Sequence, residues 1–367
     1  MFHTTLAISA LLSITTYAQT STLCDPLNST CPPDSALGTT YDETFTAQTV
    51  ELNPNLWNVT AGSDLIHFTN NGAELAISQS GQSVTAQSTF YIFWGQVEII
   101  MQAASGTGII STFDLLSDDL DEIDMEIMGG NTSWVESNWY GWGDQTQYNS
   151  EYLECDGPQQ KMHNYTIVWS QEQIQWIVDG NVSRIVPYAA PHQYPQTPSI
   201  LKFGIWAGGD ATEPEGTIQW AGGKTDWSKG PFTMTVQSIK ITDGSTNTSS
   251  YAYGDRSGSY NSIQAVAGES TAYKILNKQS TLQSVLQIWK GLSEGAKIGI
   301  VCGVSGFFAC VIVACTVCCI IQRKKGRAEK AIADKEWDAH TNELMEYRVR
   351  MAKGEFAVAH LTHGEKS

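Results

Sequence analysis

Asp121-Glu122-Ile123-Asp124-Met125-Glu126-Ile127-Met128 sets acid and hydrocarbon in alternation. On a strand, successive side chains point to opposite faces. Glu122, Asp124 and Glu126 then line one face, while Ile123, Met125 and Ile127 enter a core. A row of like charges is unfavourable to assemble, because each carboxylate raises the cost of ionising the next. That cost points to a use for the row.

The same alternation recurs on both sides of this stretch, over 65–68, 75–78, 95–102, 109–115, 164–169, 174–178, 200–206 and 233–241. Turn residues such as Asn70-Asn71-Gly72, Ser105-Gly106-Thr107-Gly108, Gly129-Gly130 and Asp179-Gly180 separate the runs. Many short strands with such punctuation predict an all-β, two-sheet sandwich. A segment of roughly 200 residues suffices for one large core. Trp139-Tyr140-Gly141-Trp142-Gly143, Trp206-Ala207-Gly208-Gly209 and Trp220-Ala221-Gly222-Gly223 place rings beside glycines. Any one ring suits the core, but several together predict an aromatic-lined groove open to a long ligand.

The ends read differently. An apolar run over 6–14, followed by Thr-Thr-Tyr-Ala, predicts a secretory signal peptide over residues 1–18. Residues 298–321 carry no charge, and 24 residues are enough to cross a bilayer. Arg323, Lys324, Lys325 and Arg327 follow at once, which predicts a single-pass chain with its N-terminus outside. The 46 residues after the span exclude a glycolipid-anchor signal. The organisation expected is a catalytic β-sandwich over 19–243, a Ser/Thr-rich stem and juxtamembrane segment over 244–297 with helical spacing from 272 to 292, the span, and a short helical cytoplasmic tail over 322–367.

Charge divides at the span. The tail holds ten basic and eight acidic residues, and the rest holds 11 and 30, a net of −19. Such a surface repels nucleic acid and anionic lipid and suits a neutral polysaccharide. Cys24 and Cys31 lie close together and are expected to pair in an oxidising compartment, leaving Cys155 either buried and free or paired between molecules. Asn28, Asn58, Asn131, Asn164, Asn181 and Asn247 each begin a glycosylation sequon. Before the span no CxxC or His-x-x-x-His spacing offers a metal set, and no metal or cofactor is expected.

The acidic row fits chemistry on a sugar bond. A retaining glycosidase needs a nucleophile and an acid/base about 5–5.5 Å apart. Positions i and i+4 on a straight strand put Cα atoms about 13 Å apart at ~3.3 Å per residue. Two Glu side chains leaning together on a curving strand close most of that gap, where Asp would be too short. The middle Asp124 can hold the nucleophile's rotamer and keep the two Glu apart in proton affinity. Spacing leaves open which Glu takes which role. The alternatives are an acidic edge strand or a calcium loop, although a calcium loop wants a turn with a glycine. Gly223-Lys224-Thr225 has Ile218 where a phosphate loop needs its first glycine.

The chain resembles glycoside hydrolase family 16, and within it the fungal Crh-type group that crosslinks chitin to β-glucan in the cell wall. Asp121-Glu122-Ile123-Asp124-Met125-Glu126 is similar to the catalytic motif of the group. Cys24-Asp25-Pro26-Leu27 with Thr30-Cys31-Pro32-Pro33, Tyr194-Pro195-Gln196-Thr197-Pro198, Gly204-Ile205-Trp206-Ala207-Gly208-Gly209-Asp210 and Gly216-Thr217-Ile218-Gln219-Trp220-Ala221-Gly222-Gly223 are similar to its other blocks. The resemblance implies a β-jelly roll with a concave groove. It implies Glu122 as nucleophile, Asp124 as auxiliary and Glu126 as acid/base. It puts Glu126, Lys202, Trp206, Thr217 and Trp220 at positions that contact the sugar, and Cys24 and Cys31 in a disulfide. The implied donor is chitin and the implied acceptor β-glucan, at the cell surface and wall. Ile127-Met128-Gly129-Gly130-Asn131 departs from the Trp-Leu-Gly-Gly-Asp that often follows the motif, and the span replaces a frequent glycolipid anchor. A plain β-glucanase or chitinase of the same fold, or a glycan-binding surface sensor signalling through the tail, are the competing functions.

Overall fold

The structure, a computed structural model, describes residues 22–144, 146, 149–188, 193–278, 289 and 291–353, without the side chains of 294 and 300–310. The expected signal peptide over 1–18 lies outside these residues. In chain order the strands are β1 (Asp34–Ser35), β2 (Thr40–Thr44), β3 (Trp57–Ala61), β4 (Ile66–Thr69), β5 (Gly72–Ile77), β6 (Val84–Ile92), β7 (Gly95–Gln102), β8 (Ile109–Ser117) and β9 (Glu122–Met128). Next come β10 (Trp134–Tyr140), β11 (Glu151–Glu154), β12 (His163–Trp169), β13 (Gln173–Val178), β14 (Asn181–Pro187) and β15 (Ser199–Ala207). Helix α1 (Glu215–Trp220), β16 (Phe232–Asp243), β17 (Thr248–Tyr253), β18 (Ile263–Ala267) and helix α2 (Thr271–Leu276) complete this unit.

Among the described residues, one sheet runs β11-β10-β9-β8-β15-β6-β3 and a second runs β14-β13-β12-β7-β16-β5-β4. β16 is long enough to serve two partners on its edge away from β7, pairing with β5 through Phe232–Val236 and with β2 through Ser238–Thr242. The inward faces of both sheets share one core, to which β9 gives Ile123, Met125 and Ile127 and the second sheet gives Tyr165, Ile167, Trp169 and Trp176. Burying one such side chain contributes about 1.5–3 kcal/mol. A one-residue slip of β9 would expose those three and turn the carboxylates inward, so its register is firmly set. The result is the expected all-β jelly-roll sandwich, and β7 and β9 coincide with the predicted 95–102 and 122–128.

The segment expected to be a stem from 244 is a correction, because it folds. β17 and β18 join β1 in a three-stranded sheet, Tyr251 is fully buried, and its hydroxyl donates to Asp243 Oδ1 at 2.6 Å. Ala272 of α2 is buried as well, and the compact unit ends at Lys278 rather than at 243. Thr suits a strand as well as a linker, and Thr248 of β17 is buried here, as are Ser262 before β18 and Ser270 at the start of α2. The helical spacing over 272–292 is met by α2 at its start, while 279–288 and 290 lie outside the described residues.

The second unit contains the helix Glu294–Ala352, entered through Ser293, whose hydroxyl oxygen accepts from the Ala296 amide at 3.4 Å. It takes in both the apolar run and the charged run that follows. Among the described residues, no helix is long and apolar enough to cross a membrane. Much of the expected span at 298–321, namely the side chains of 300–310, lies outside the description. Cys24 and Cys31 form the expected disulfide. Cys155 is buried and free, with its thiol 3.6 Å from the Tyr165 hydroxyl.

Candidate active site

Strand register builds the site. Across from Glu122, Asp124 and Glu126 stand Tyr140, Asn138 and Glu136 of β10. On the other flank, Leu116, Asp114 and Thr112 of β8 stand opposite the same three residues. Lys202 of β15 then faces Asp114, Gly204 faces Thr112, and Trp206 faces Ile110. Directly opposed residues share a face. The outer face of this sheet therefore gathers the acids with Lys202, Asn138 and aromatic rings, and α1 lines one side. On this face lies a cavity of about 460 Å³ that holds Glu122, Asp124, Glu126, Lys202, Trp206, Thr217 and Trp220 together.

Every sugar-contact residue expected from the sequence thus reaches one groove. Tyr140, one of the rings expected beside glycines, lines it as well, and so do Asp114, Glu136, Asn138 and Glu213, which were not singled out in the sequence. Trp206 and Trp220 lie nearly parallel, ring centroids 6.0 Å apart and planes at 21°. They rest on buried Ile110, Met128 and Ala221, so Met128, inside the departure from the usual motif, supports the aromatic end of the groove. Trp139 instead enters the core, 2% exposed, while its neighbour Tyr140 lines the groove. Gly204 keeps the floor low, since a Cβ there would come within 2.1 Å of the Val84 carbonyl oxygen. None of the sequon asparagines lines this groove. Asn28, Asn58, Asn181 and Asn247 are exposed, and Asn131 and Asn164 are half-buried.

The groove crowds carboxylates together, with Asp124 buried and Glu122 and Glu126 half-buried. Burial pushes Glu122 up to about 8, with the charge of Asp114 adding to it and that of Lys202 opposing it. Asp124 and Glu126 are held well above the usual carboxylate range, first by burial and then by neighbouring acids. Lys202 Nζ lies 4.0 Å from Asp114 Oδ2. Lys202 thus opposes the rise at Glu122, while the neighbouring acids add to the rise at Glu126. Behind the row, the Trp176 indole N–H donates to the Asp124 main-chain oxygen at 3.0 Å, tying β9 to the second sheet.

Residues 53–222 match the sequence profile of glycosyl hydrolases family 16. Crh-like protein 3 of Aspergillus fumigatus is 41% identical over 95% of this chain and 94% of its own length. The structure of an apo Crh5 transglycosylase superposes with a TM-score of 0.62 at 42% identity, covering 66% of this chain and all of that one. A Crh5 transglycosylase in complex with NAG matches with the same TM-score at 43% identity, over 66% of this chain and 99% of the other. The chain belongs to the Crh-like proteins of glycosyl hydrolases family 16.

Proposed function

We propose that the chain is a retaining transglycosylase that cleaves chitin and transfers the cut chain to β-glucan in cell-wall assembly. The observation that carries this reading is the placement of Glu122 and Glu126 on one groove face, with Lys202 beside the first and the Trp206–Trp220 pair at the groove's end. NAG is N-acetylglucosamine, the unit of chitin, so the NAG complex of a Crh5 transglycosylase supports the choice of donor. Glu126 gives its proton to the leaving oxygen while Glu122 attacks the anomeric carbon. The glycosidic C–O bond breaks as the Glu122–carbon bond forms. Asp124, between the two glutamates on the same face, is the auxiliary acid that keeps their proton affinities apart. Glu126, now ionised, takes the proton of an acceptor sugar hydroxyl, and that oxygen displaces Glu122. The faces of Trp206 and Trp220 carry the apolar faces of the sugar rings, and Lys202 and Thr217 bind hydroxyls.

The same reading places a signal peptide at 1–18, a folded catalytic unit up to 278, a single span at 298–321 with the N-terminus outside, and the tail at 322–367 within the cell. The uncharged run and the basic residues after it support this topology. The sequons at Asn28, Asn58, Asn131, Asn164, Asn181 and Asn247 suit the secretory route.

Incubating the full-length protein with chitin oligomers and labelled laminarin oligomers tests the reading. A hybrid product is expected, and Glu122→Gln should lower its rate by at least about 10³-fold. Reducing ends without hybrid product would reject transfer in favour of a plain hydrolase.

A further inference from the structure

Glu136 is only 5% exposed and stands directly across from Glu126 on the neighbouring strand. A buried carboxylate is costly unless a donor or cation offsets it. The indole N–H of Trp220 is such a donor, reaching Glu136 Oε2 at 2.9 Å. Trp220 in turn lies against Trp206, and both rings sit on Ile110, Met128 and Ala221. One carboxylate therefore holds the aromatic platform on one side and faces the reacting row on the other. After burial itself, Glu136 is the largest influence raising the proton affinity of Glu126.

We propose that Glu136 is a positioning residue of the transfer reaction, tying the Trp206–Trp220 platform to Glu126 through a single carboxylate. The proposal rests on the reading of Glu126 as acid/base. Its charge keeps the proton on Glu126 until a leaving oxygen takes it. After that step the same charge opposes the ionised Glu126, and so makes it a stronger base toward an acceptor hydroxyl. A sugar stacked on the platform presses the indole edge onto Glu136 and excludes water from the space beside Glu126. Recognition of the donor and readiness of the proton are then set by one group.

The test is the pH profile of hybrid formation from chitin and labelled laminarin oligomers, measured on the full-length protein and three variants. Glu136→Gln keeps an acceptor oxygen for the indole but removes the charge. Its KM should stay within about twofold, while the basic limb of kcat/KM moves to lower pH by about one unit. Glu136→Ala should move the limb equally and raise KM by about tenfold, because the platform loses its anchor. Trp220→Phe should raise KM and move the limb less than Glu136→Gln does, since the carboxylate itself remains. A Glu136→Gln enzyme with its basic limb at the wild-type pH overturns the proposal, whatever its kcat, since a merely structural role predicts that result. Should Glu136→Ala fail to fold, the isosteric Gln variant still decides. A wild type that yields neither hybrid nor reducing ends overturns the parent reading, whereas an active wild type with an unmoved limb in Glu136→Gln overturns only the role of Glu136.

Discussion

Lys202 separates two glutamates that burial alone would treat alike. Its charge opposes the rise at Glu122, and no cation does so for Glu126. Lys202→Met should therefore raise the proton affinity of Glu122 further. The nucleophile must be ionised, so the acidic limb of kcat/KM should move to higher pH, by about one unit, with the basic limb held. A profile that drops in height without shifting would assign Lys202 to sugar binding alone. At this scale the sequence was informative wherever residues formed a pattern of their own. Glu122, Asp124 and Glu126 stand out by alternation. Asp114 and Glu136 do not, because each is a single acid in a mixed run, Phe113-Asp114-Leu115 and Val135-Glu136-Ser137. They gain meaning only through register, when β8 and β10 bring them beside the row.

Among the elements, β9 depends on its neighbours for more than ladder bonds. The Trp176 indole holds the Asp124 carbonyl from beneath, and the Arg184 guanidinium packs 4.8 Å over the Trp176 ring. Arg184 also donates to Ser137 O and Oγ on β10 at 2.8 and 2.9 Å, and pairs with Glu151 of β11 at 3.2 Å. Side chains of β13 and β14 thus fasten three strands of the catalytic sheet from behind. Trp176→Phe removes the indole donor and some volume, and should lower unfolding free energy by about 1–3 kcal/mol in urea titrations while kcat falls severalfold. Unchanged kcat at reduced stability would mean that the ladder alone positions Asp124. β7, β8, β9 and β12 were legible because one face is apolar and the other polar. β10 was hidden, since Ser137 shares the inward face with Val135 and Trp139 while Trp134 and Tyr140 share the groove face with Glu136 and Asn138, so neither face reads as purely apolar or polar. β17 was hidden for the related reason that Thr248-Ser249-Ser250 matches a linker in composition.

For the whole molecule, the buried acids make stability depend on pH in an unusual direction. Asp34 is pushed up to about 8 by burial, then by Asp118 and Asp119, and Asp119 is pushed up to about 6 chiefly by burial. A raised carboxylate holds its proton in the folded chain over a range where the unfolded chain has lost it. Its contribution is complete below the unfolded value near 4 and declines as pH rises through the folded one. Tm should therefore be higher at pH 5 than at pH 8. Asp34→Asn should raise Tm at pH 8 by about 2–4 °C, the shift expected for about 1 kcal/mol in a domain of this size, and change it little at pH 4. Equal pH dependence in both proteins would remove Asp34 from the account. The small sheet β1-β17-β18 has a mechanical consequence. A pull entering at Lys278 meets α2 and the outermost strand β18 before any strand of the sandwich. Such a load would unzip β18 from β17 first, so a chain tugged from its C-terminal side would fray at this clasp while the carboxylate row kept its alignment.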